Sequence, residues 1–278
     1  MPAKTTKGAR RNLRLLLAYD GSSFHGWQRQ PGLATVQACV EDSITGIVRE
    51  PVKLYGSGRT DAGVHALGQV ANFTTSCRIP AANLQRALND ILPADIRVRT
   101  VDEVAPDFHA RYAVRSKIYR YRILQANVCP PFLWRYVWHY PHALDRRSMA
   151  RAARVFAGTH DFTSFAATGA DADDDAPRPE DSILPPLRVP QEKHDHSMVR
   201  TIFSSRILWR DRSAMLAYDV RCSGFLHHMV RNIVGTLVEV GRGRLAPGEV
   251  AAILQARDRT LAGPTAPPQG LCLMRVAY

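Results

Sequence analysis

Several features that mark common classes of protein are missing from this 278-residue sequence. Its five cysteines lie far apart and none forms a C-x-x-C pair, which argues against both a disulfide framework and a zinc ribbon. No apolar run approaches the roughly 18 residues of a membrane-spanning helix, and the N-terminus lacks the apolar stretch of a secretory signal. We therefore expect no membrane partner and a reducing, cytoplasmic compartment.

Positive charge, by contrast, is in excess. The chain contains 37 Lys and Arg against 25 Asp and Glu, which gives a formal net charge of +12 with neutral histidines. Nucleic acid is the usual partner of so basic a protein. Residues 1–11 form a basic tail without an acidic residue, which we interpret as a solvated segment, with contact to phosphates as the alternative.

Hydrophobic periodicity predicts an α+β protein with two ferredoxin-like halves. Residues 13–104 follow the order β-α-β-β-α-β of that fold, with a helix that begins after Thr35. The second half repeats the order more loosely, with a strand over 134–139 and an apolar helix over 225–240. We predict domains at 12–110 and 111–278, whose mixed and mainly antiparallel sheets form a central basic active-site cleft.

One segment of the second half cannot bury a hydrophobic face. Residues 168–197 contain a run of aspartates, five prolines and two histidines, and we expect a disordered surface insertion there. A metal site built from those aspartates and histidines is the alternative, but nothing in their spacing supports it. We therefore assign no metal to this segment.

The segment 56–66 is the strongest candidate for chemistry. It lies between two predicted strands and combines three glycines with Arg59, Asp61 and His65. Glycines allow a positive φ and a close approach of the backbone to a ligand. The spacing matches neither a Walker A loop nor G-x-G-x-x-G, since Asp61 occupies the sixth position and a strand follows. The plain alternative is a tight turn in which Asp61 caps backbone amides.

Two further clusters carry aromatic and basic residues. Strand alternation puts Tyr119 and Tyr121 on one face with arginines on the other, which suits the stacking of a nucleobase, although a core position is the better interpretation for Tyr121. His227 and Arg231 share one face of the helix predicted over 225–240, at the edge of its apolar stripe. An arginine in that position needs an acidic partner, whereas His227 and its neighbour His228 are interpreted as structural.

Together these motifs resemble the bacterial tRNA pseudouridine synthase A family. The resemblance runs in order from about Arg14 to the C-terminus. It is carried by YDGSSFHGWQ (19–28), GSGRTDAGVH (56–65), FHAR through KIYRY (108–121), DFTSF (161–165), FLHHMVRNIVG (225–235) and GLCL (270–273). The departure is the insertion at 168–197, which is longer than the family usually carries and bears on how tRNA approaches rather than on catalysis.

The resemblance implies an activity. The family isomerises uridine to pseudouridine at positions 38, 39 and 40 in the anticodon stem-loop of tRNA, without a metal or an organic cofactor. By resemblance Asp61 is the nucleophile, which attacks either the ribose anomeric carbon or carbon 6 of the uracil after the base has been flipped out. The family is homodimeric, with each tRNA lying across both subunits.

The resemblance also implies roles for other residues. Arg231 would be the ion-pair partner that keeps Asp61 charged in a poorly hydrated cleft. Tyr119 would stack against the flipped uracil and help with proton transfer at carbon 5. The remaining substrate-binding candidates are Arg59, which takes the space of the flipped base or binds its phosphate, His65, and the apolar Leu271 and Leu273.

Two other functions compete with this one. A non-catalytic RNA-binding module accounts for the charge and the aromatic residues, but it leaves the packed segment around Asp61 without a function. A metal-dependent nuclease needs a second carboxylate near Asp61, and the candidates Asp20 and Asp90 lie in other elements. Turnover without magnesium would separate the two enzymes.

Overall fold

The computed structural model describes residues 10–167, 197–210 and 213–278. Most of the predicted basic tail (1–11) and of the predicted insertion (168–197) lies outside the described residues. The chain forms two compact units: the first contains the residues up to Arg115 together with Cys272–Tyr278, and the second contains Ser116–Leu271. Within the described residues, every helix is too short or too polar to span a bilayer.

Ten strands and five α-helices are present in the described residues. The strands are β1 (Arg11–Tyr19), β2 (Tyr55–Gly56), β3 (His65–Thr75), β4 (Ile96–Val104), β5 (Ser116–Leu124), β6 (Trp138–His139), β7 (Gly158–Asp161), β8 (Val199–Arg210), β9 (Met215–Cys222) and β10 (Leu271–Ala277). The helices are α1 (Val36–Val48), α2 (Ala81–Ile91), α3 (Arg146–Val155), α4 (Met229–Gly241) and α5 (Glu249–Ala256).

The first unit is a sheet in the order β4-β1-β3-β10, with β2 paired to β3. β1 runs antiparallel to both neighbours, and β10 runs parallel to β3. Leu13, Leu15 and Leu17 of β1 are fully buried, which is the period of a strand with one face in a core. As predicted, α1 begins after Thr35, whose hydroxyl accepts a hydrogen bond from the backbone N–H of Ala38.

The second unit is a sheet in the order β5-β9-β8-β7, in which neighbours are antiparallel, with β6 parallel to β5. Tyr121 and Tyr218 lie opposite each other on β5 and β9, and both are buried. Helices α3 and α4 contact each other, and α3 contacts β8. In α4 a Cβ at Gly235 would lie 1.6 Å from the carbonyl oxygen of Pro264, so this helix passes the 264–266 segment at a distance that only glycine allows.

These elements confirm the prediction of an α+β protein with mainly antiparallel pairing; the ferredoxin-like character of each half stays a prediction. Two predictions of single elements were wrong. The strand predicted over 134–139 is instead a 3-10 turn (Trp134–Tyr136) followed by the two-residue β6. The helix predicted over 225–240 begins only at Met229, because His228 has a left-handed φ of 59° that a right-handed helix cannot include.

Candidate active site

Asp61 lies in a short loop of the first unit, between β2 and β3. We call residues 57–64 the Asp61 loop. It closes with a turn in which the Val64 N–H donates to the Asp61 carbonyl oxygen at 3.1 Å, and Gly63 has a φ of 77°. Asp61 itself is half-buried and follows the buried Thr60. The loop therefore offers a carboxylate that is partly accessible, on a backbone that is partly enclosed.

Two hydrogen bonds of Thr60 connect the centre of this loop to other segments of the first unit. Its carbonyl oxygen accepts from the Trp27 N–H at 3.0 Å, and its hydroxyl is 2.9 Å from the hydroxyl of Tyr19, at the end of β1. Burial raises the pKa of Tyr19 far above its usual range, so the phenol stays protonated. Gly26 has a φ of 84°, and a Cβ there would lie 2.5 Å from the Thr60 carbonyl oxygen. The backbone next to Asp61 is therefore held from both sides.

The side chain of Gln69 in β3 forms hydrogen bonds with the first two residues of the loop. Its side-chain oxygen accepts from the Ser57 hydroxyl at 2.7 Å, and its amide nitrogen donates to the Gly58 carbonyl oxygen at 2.9 Å. Ser57 also donates its backbone N–H to Val70. Gln69 is fully buried, so these bonds are shielded from water and leave the loop little freedom to move.

Arg59 lies two residues before Asp61 and is half-buried. Its Nε donates to the side-chain oxygen of Gln28 at 3.2 Å. Gln28 follows Trp27, whose backbone holds Thr60, so the segment 26–28 contacts the Asp61 loop at two points. A guanidinium fixed beside a carboxylate-bearing turn is equipped to bind phosphate.

His65 begins β3, directly after the loop, and is buried. Its Nδ1 accepts from the Gly21 N–H at 3.0 Å and lies 3.1 Å from a carboxylate oxygen of Asp20. The same Asp20 carboxylate accepts from the Ser22 N–H and so caps the turn after β1. These contacts connect the His65 ring to the turn that follows β1.

Leu273 lies next to the end of the loop in the first unit. In the parallel pairing of β10 with β3, Leu273 is opposite Ala66, and Cys272 is opposite His65. Leu273 is 1% exposed. It therefore forms part of the apolar core behind His65 and Ala66.

Tyr119 and Tyr121 lie on the same face of β5 in the second unit, as strand alternation predicts. Tyr119 is 7% exposed and packs edge-on against Phe225, with ring centroids 5.0 Å apart. Tyr121 is fully buried and donates its hydroxyl to the Pro267 carbonyl oxygen at 2.7 Å. Tyr121 is thus a core residue, as expected, and Gly270, before Leu271, packs against its ring.

Arg231 is anchored near the beginning of α4 in the second unit. Its Nε donates to the Ala266 carbonyl oxygen at 2.8 Å, while its own carbonyl oxygen accepts from the Ala266 N–H at 3.1 Å. Burial raises the pKa of Tyr121 and the positive charge of Arg231 opposes this rise, so the two groups are close enough to interact. The neighbouring Asn232 is fully buried and donates to the Phe165 carbonyl oxygen at 2.8 Å.

The sequence matches one family profile and several curated proteins. The sequence profile of a family described as tRNA pseudouridine synthase matches residues 16–113 and 188–278. A protein of Solibacter usitatus named tRNA pseudouridine synthase A is 48% identical over 269 residues, which are 96% of this chain and 100% of the relative. Proteins with the same name from Moorella thermoacetica and Caldicellulosiruptor saccharolyticus are 46% and 40% identical, over 96% of this chain and 99% and 100% of the relatives.

The chain belongs to the tRNA pseudouridine synthase family. The resemblance that the motifs indicated is therefore confirmed, and the protein is an isomerase. For this pseudouridine synthase the structure gathers Arg59, Asp61, His65 and Leu273 in and around one loop of the first unit. Tyr119 and Arg231 lie in the second unit, and Leu271 is the residue at which that unit ends and β10 begins. The roles assigned to these residues stay predictions.

Sequence reasoning named the loop of this synthase but not the side chains that hold it. Tyr19, Thr60, Gln69 and Gln28 received no role, although each bonds to the Asp61 loop or lies within it. One signal was present, because Gln69 is an amide whose neighbours in β3, residues 66–68 and 70–71, are apolar or glycine. A buried amide in a strand normally has a specific hydrogen-bonding partner.

Proposed function

We propose that the chain isomerises uridine to pseudouridine at positions 38, 39 and 40 in the anticodon stem-loop of tRNA. Family membership supports the reaction, and the names of relatives that match along nearly their whole length support tRNA as the substrate. The net charge of +12 suits a polyanionic substrate. In this proposal the chain acts as a homodimer, needs no metal or cofactor, and has two ferredoxin-like halves with a basic active-site cleft.

The observation that carries the proposal is the way the first unit holds Asp61. The loop is bonded at Ser57, Gly58 and Thr60, while Asp61 stays half-buried. A nucleophile that must meet one carbon of a flipped nucleotide gains from such a fixed position. In this proposal a carboxylate oxygen of Asp61 attacks the ribose anomeric carbon or uracil carbon 6.

The other roles follow the pattern of the family. Arg231 is proposed as the ion-pair partner of Asp61, and Tyr119 as the ring that stacks on the uracil and helps with proton transfer at carbon 5. Arg59 is proposed to occupy the space of the flipped base or to bind its phosphate. The remaining proposed substrate-binding residues are His65, Leu271 and Leu273.

The test is a pseudouridine assay on unmodified tRNA transcripts in EDTA. Transcripts carrying uridine at positions 38, 39 or 40 are compared with transcripts carrying cytidine there, and the modified positions are mapped. We expect pseudouridine at those positions only, and only where uridine was present. Tight tRNA binding without product would favour the RNA-binding module, and strand scission that occurs only when magnesium replaces EDTA would favour the nuclease.

A further inference from the structure

Helix α3 of the second unit carries a stripe of arginines on its exposed side. Arg147, Arg151 and Arg154 are spaced four and three residues apart and are all exposed. At 100° per residue they lie within about 60° of one another and extend over about 10 Å of the helix. We call these three residues the α3 stripe. The opposite side of the helix is buried and contains Ser148, Met149, Ala152 and Ala153.

The charges at the beginning of this helix work against its stability, whereas Arg154 in its last turn suits the helix dipole. The first turn contains Arg146 and Arg147 and no acidic residue, although the N-terminal end of a helix dipole favours negative charge. Arg147 and Arg151 are like charges four residues apart, which also destabilises a helix. Arg147 and Arg151 therefore break a local rule of helix stability, and such departures are typical of functional surfaces.

The α3 stripe forms no ion pair within the part of the chain that the structure describes. Arg151 donates to the Ser148 hydroxyl at 2.8 Å. The Asp145 carboxylate accepts from the Arg147 and Ser148 N–H groups and from the Ser148 hydroxyl, and those bonds lower its pKa together with the nearby Arg151. The positive charge of the stripe is thus balanced, at one end only, by a single capping carboxylate.

Other arginines of the second unit are differently placed. Arg242 and Arg244 both pair with Glu239, at 2.9 and 3.3 Å. Arg146, on the same helix as the stripe, lies over the Trp209 ring at 3.7 Å from its centroid. Those guanidiniums are engaged by the fold, whereas the α3 stripe presents its charge to solvent.

We propose that the α3 stripe is a docking surface for the phosphate backbone of the tRNA, separate from the Asp61 loop. This inference rests on the proposed function, because it takes the tRNA as the ligand. Guanidinium groups match phosphate geometry with paired N–H donors, and a row of them along a helix can follow successive phosphates. Contacts of this kind fix the position of the RNA and read no sequence. The stripe positions the substrate and takes no part in the chemistry.

The experiment neutralises the α3 stripe and compares it with a matched change elsewhere. The variant R147Q/R151Q/R154Q keeps helix-forming residues in α3. The control R86Q/R97Q/R99Q also removes three exposed arginines, whose guanidiniums in the first unit bond to Asn83 and to backbone carbonyl oxygens. Circular dichroism and thermal unfolding verify that both variants fold. The dissociation constant for unmodified tRNA is then measured between 50 and 200 mM salt, together with the turnover number at saturating tRNA.

We expect the stripe variant to bind tRNA at least about tenfold more weakly, with the slope of log Kd against log salt reduced by about 2 to 3. Its turnover at saturating tRNA should stay within about twofold of the wild type, and the control should lose less than about threefold in affinity. Equal losses in the two variants would overturn the inference, since net charge alone would then explain them. Unchanged tRNA binding with lost binding to phosphatidylserine vesicles would also overturn it, in favour of a membrane surface.

The same measurements separate this inference from the proposed function. A wild-type protein that binds tRNA in a stripe-dependent way but forms no pseudouridine would leave the docking surface intact and refute the activity. A wild-type protein that forms pseudouridine, with unaltered tRNA binding in the stripe variant, would refute the docking surface alone.

Discussion

Each unit buries a tyrosine whose hydroxyl bonds to a second hydroxyl at 2.9 Å: Tyr19 to Thr60 in the first unit and Tyr218 to Ser205 in the second. Burial raises the pKa of both phenols far above the usual range. The two hydrogen bonds differ in the kind of segment that contains the partner of the tyrosine. Thr60 precedes Asp61 in a loop, whereas Ser205 lies in β8 and donates to the carbonyl oxygen of Ala153 in α3. The same buried bond thus fixes a loop in one unit and joins a strand to a helix in the other.

A second pair of buried polar residues repeats this contrast. Gln69 bonds Ser57 and Gly58 at the beginning of the Asp61 loop. In the second unit the Thr236 hydroxyl accepts from the Gly263 N–H at 2.9 Å and donates to the Asn232 carbonyl oxygen. Tyr19 and Gln69 thus bond to a loop with a partly accessible carboxylate, whereas Tyr218 and Thr236 bond to elements that pack within the second unit. Loss of a bond to the Asp61 loop should therefore reduce activity by more than the accompanying loss of stability explains.

Among the residues that hold the loop, the largest effect is expected from the buried amide of Gln69. Gln69→Leu leaves the Ser57 hydroxyl and the Gly58 carbonyl oxygen without this partner, which should lower the free energy of unfolding by about 2 to 4 kcal/mol. Because the loop loses its anchor, the single-turnover rate at saturating tRNA should fall by about 100-fold. Urea unfolding and rapid-quench kinetics, both at a temperature where the variant is folded, measure the two effects.

Thr236→Val is the matched control for that change. It deprives the buried Gly263 N–H of its acceptor and should cost about 1 to 3 kcal/mol of stability, with a single-turnover rate within about threefold of the wild type. If both variants lose rate in proportion to their loss of stability, the contrast between the units does not exist.

A smaller effect is expected from the two tyrosines. Tyr19→Phe and Tyr218→Phe each remove one buried hydroxyl, so each should lower the free energy of unfolding by about 1 to 2 kcal/mol. Only Tyr19→Phe should reduce turnover, by about tenfold, because only its partner adjoins Asp61. The ratio of the two turnover numbers, with KM for tRNA measured in parallel, gives the result; a ratio near one would contradict it.

The smallest effect is expected at Glu50, in the first unit but away from the Asp61 loop. Partial burial alone would raise its pKa, but hydrogen bonds from Ser76 and Thr75 outweigh burial and leave the pKa below its ordinary value. A lowered folded-state pKa gives stability that is present above the unfolded-state value of 4.5 and is lost as the pH falls through the folded-state value. Glu50→Gln should therefore flatten the acid limb of stability against pH.

The same variant tests whether any change in the first unit affects activity. Turnover of Glu50→Gln at pH 7 should equal that of the wild type, since its partners Thr75 and Ser76 lie at the far end of β3 from the loop. Chemical denaturation from pH 3 to pH 7 gives the stability profile. A loss of turnover as large as that of Tyr19→Phe would show that the loop is not specially sensitive.

The features of the fold that could be predicted from the sequence are those that depend on neighbouring residues. The Thr35 cap and the apolar period of α1 are local, and so is the position of the Asp61 loop between two strands; all three are confirmed. The beginning of α4 was placed four residues too early, because a positive φ at His228 is not visible in hydrophobic periodicity.

The partners of the candidate site were harder to predict. Tyr19 is separated from Thr60 by 41 residues and Ser57 from Gln69 by 12, so only the sheet pairing brings them together. Tyr19 looks like an ordinary strand residue in the sequence, and Gln69 stands out only as an amide among apolar neighbours. The two become recognisable as loop anchors only when the pairing of β3 with β1 and with β2 is known.

The most direct measurement is the single-turnover rate of Asp61→Asn on an unmodified tRNA transcript, beside wild type and Asp102→Asn. Asp102 is a first-unit carboxylate that pairs with Arg14 at 3.0 Å on the surface, so its replacement makes the same chemical change away from the loop. We expect Asp61→Asn to lose at least about 10³-fold in rate while tRNA affinity and stability stay within about threefold and about 1 kcal/mol, and Asp102→Asn to match the wild type. Retained pseudouridine formation in Asp61→Asn would contradict the role of Asp61 as the nucleophile.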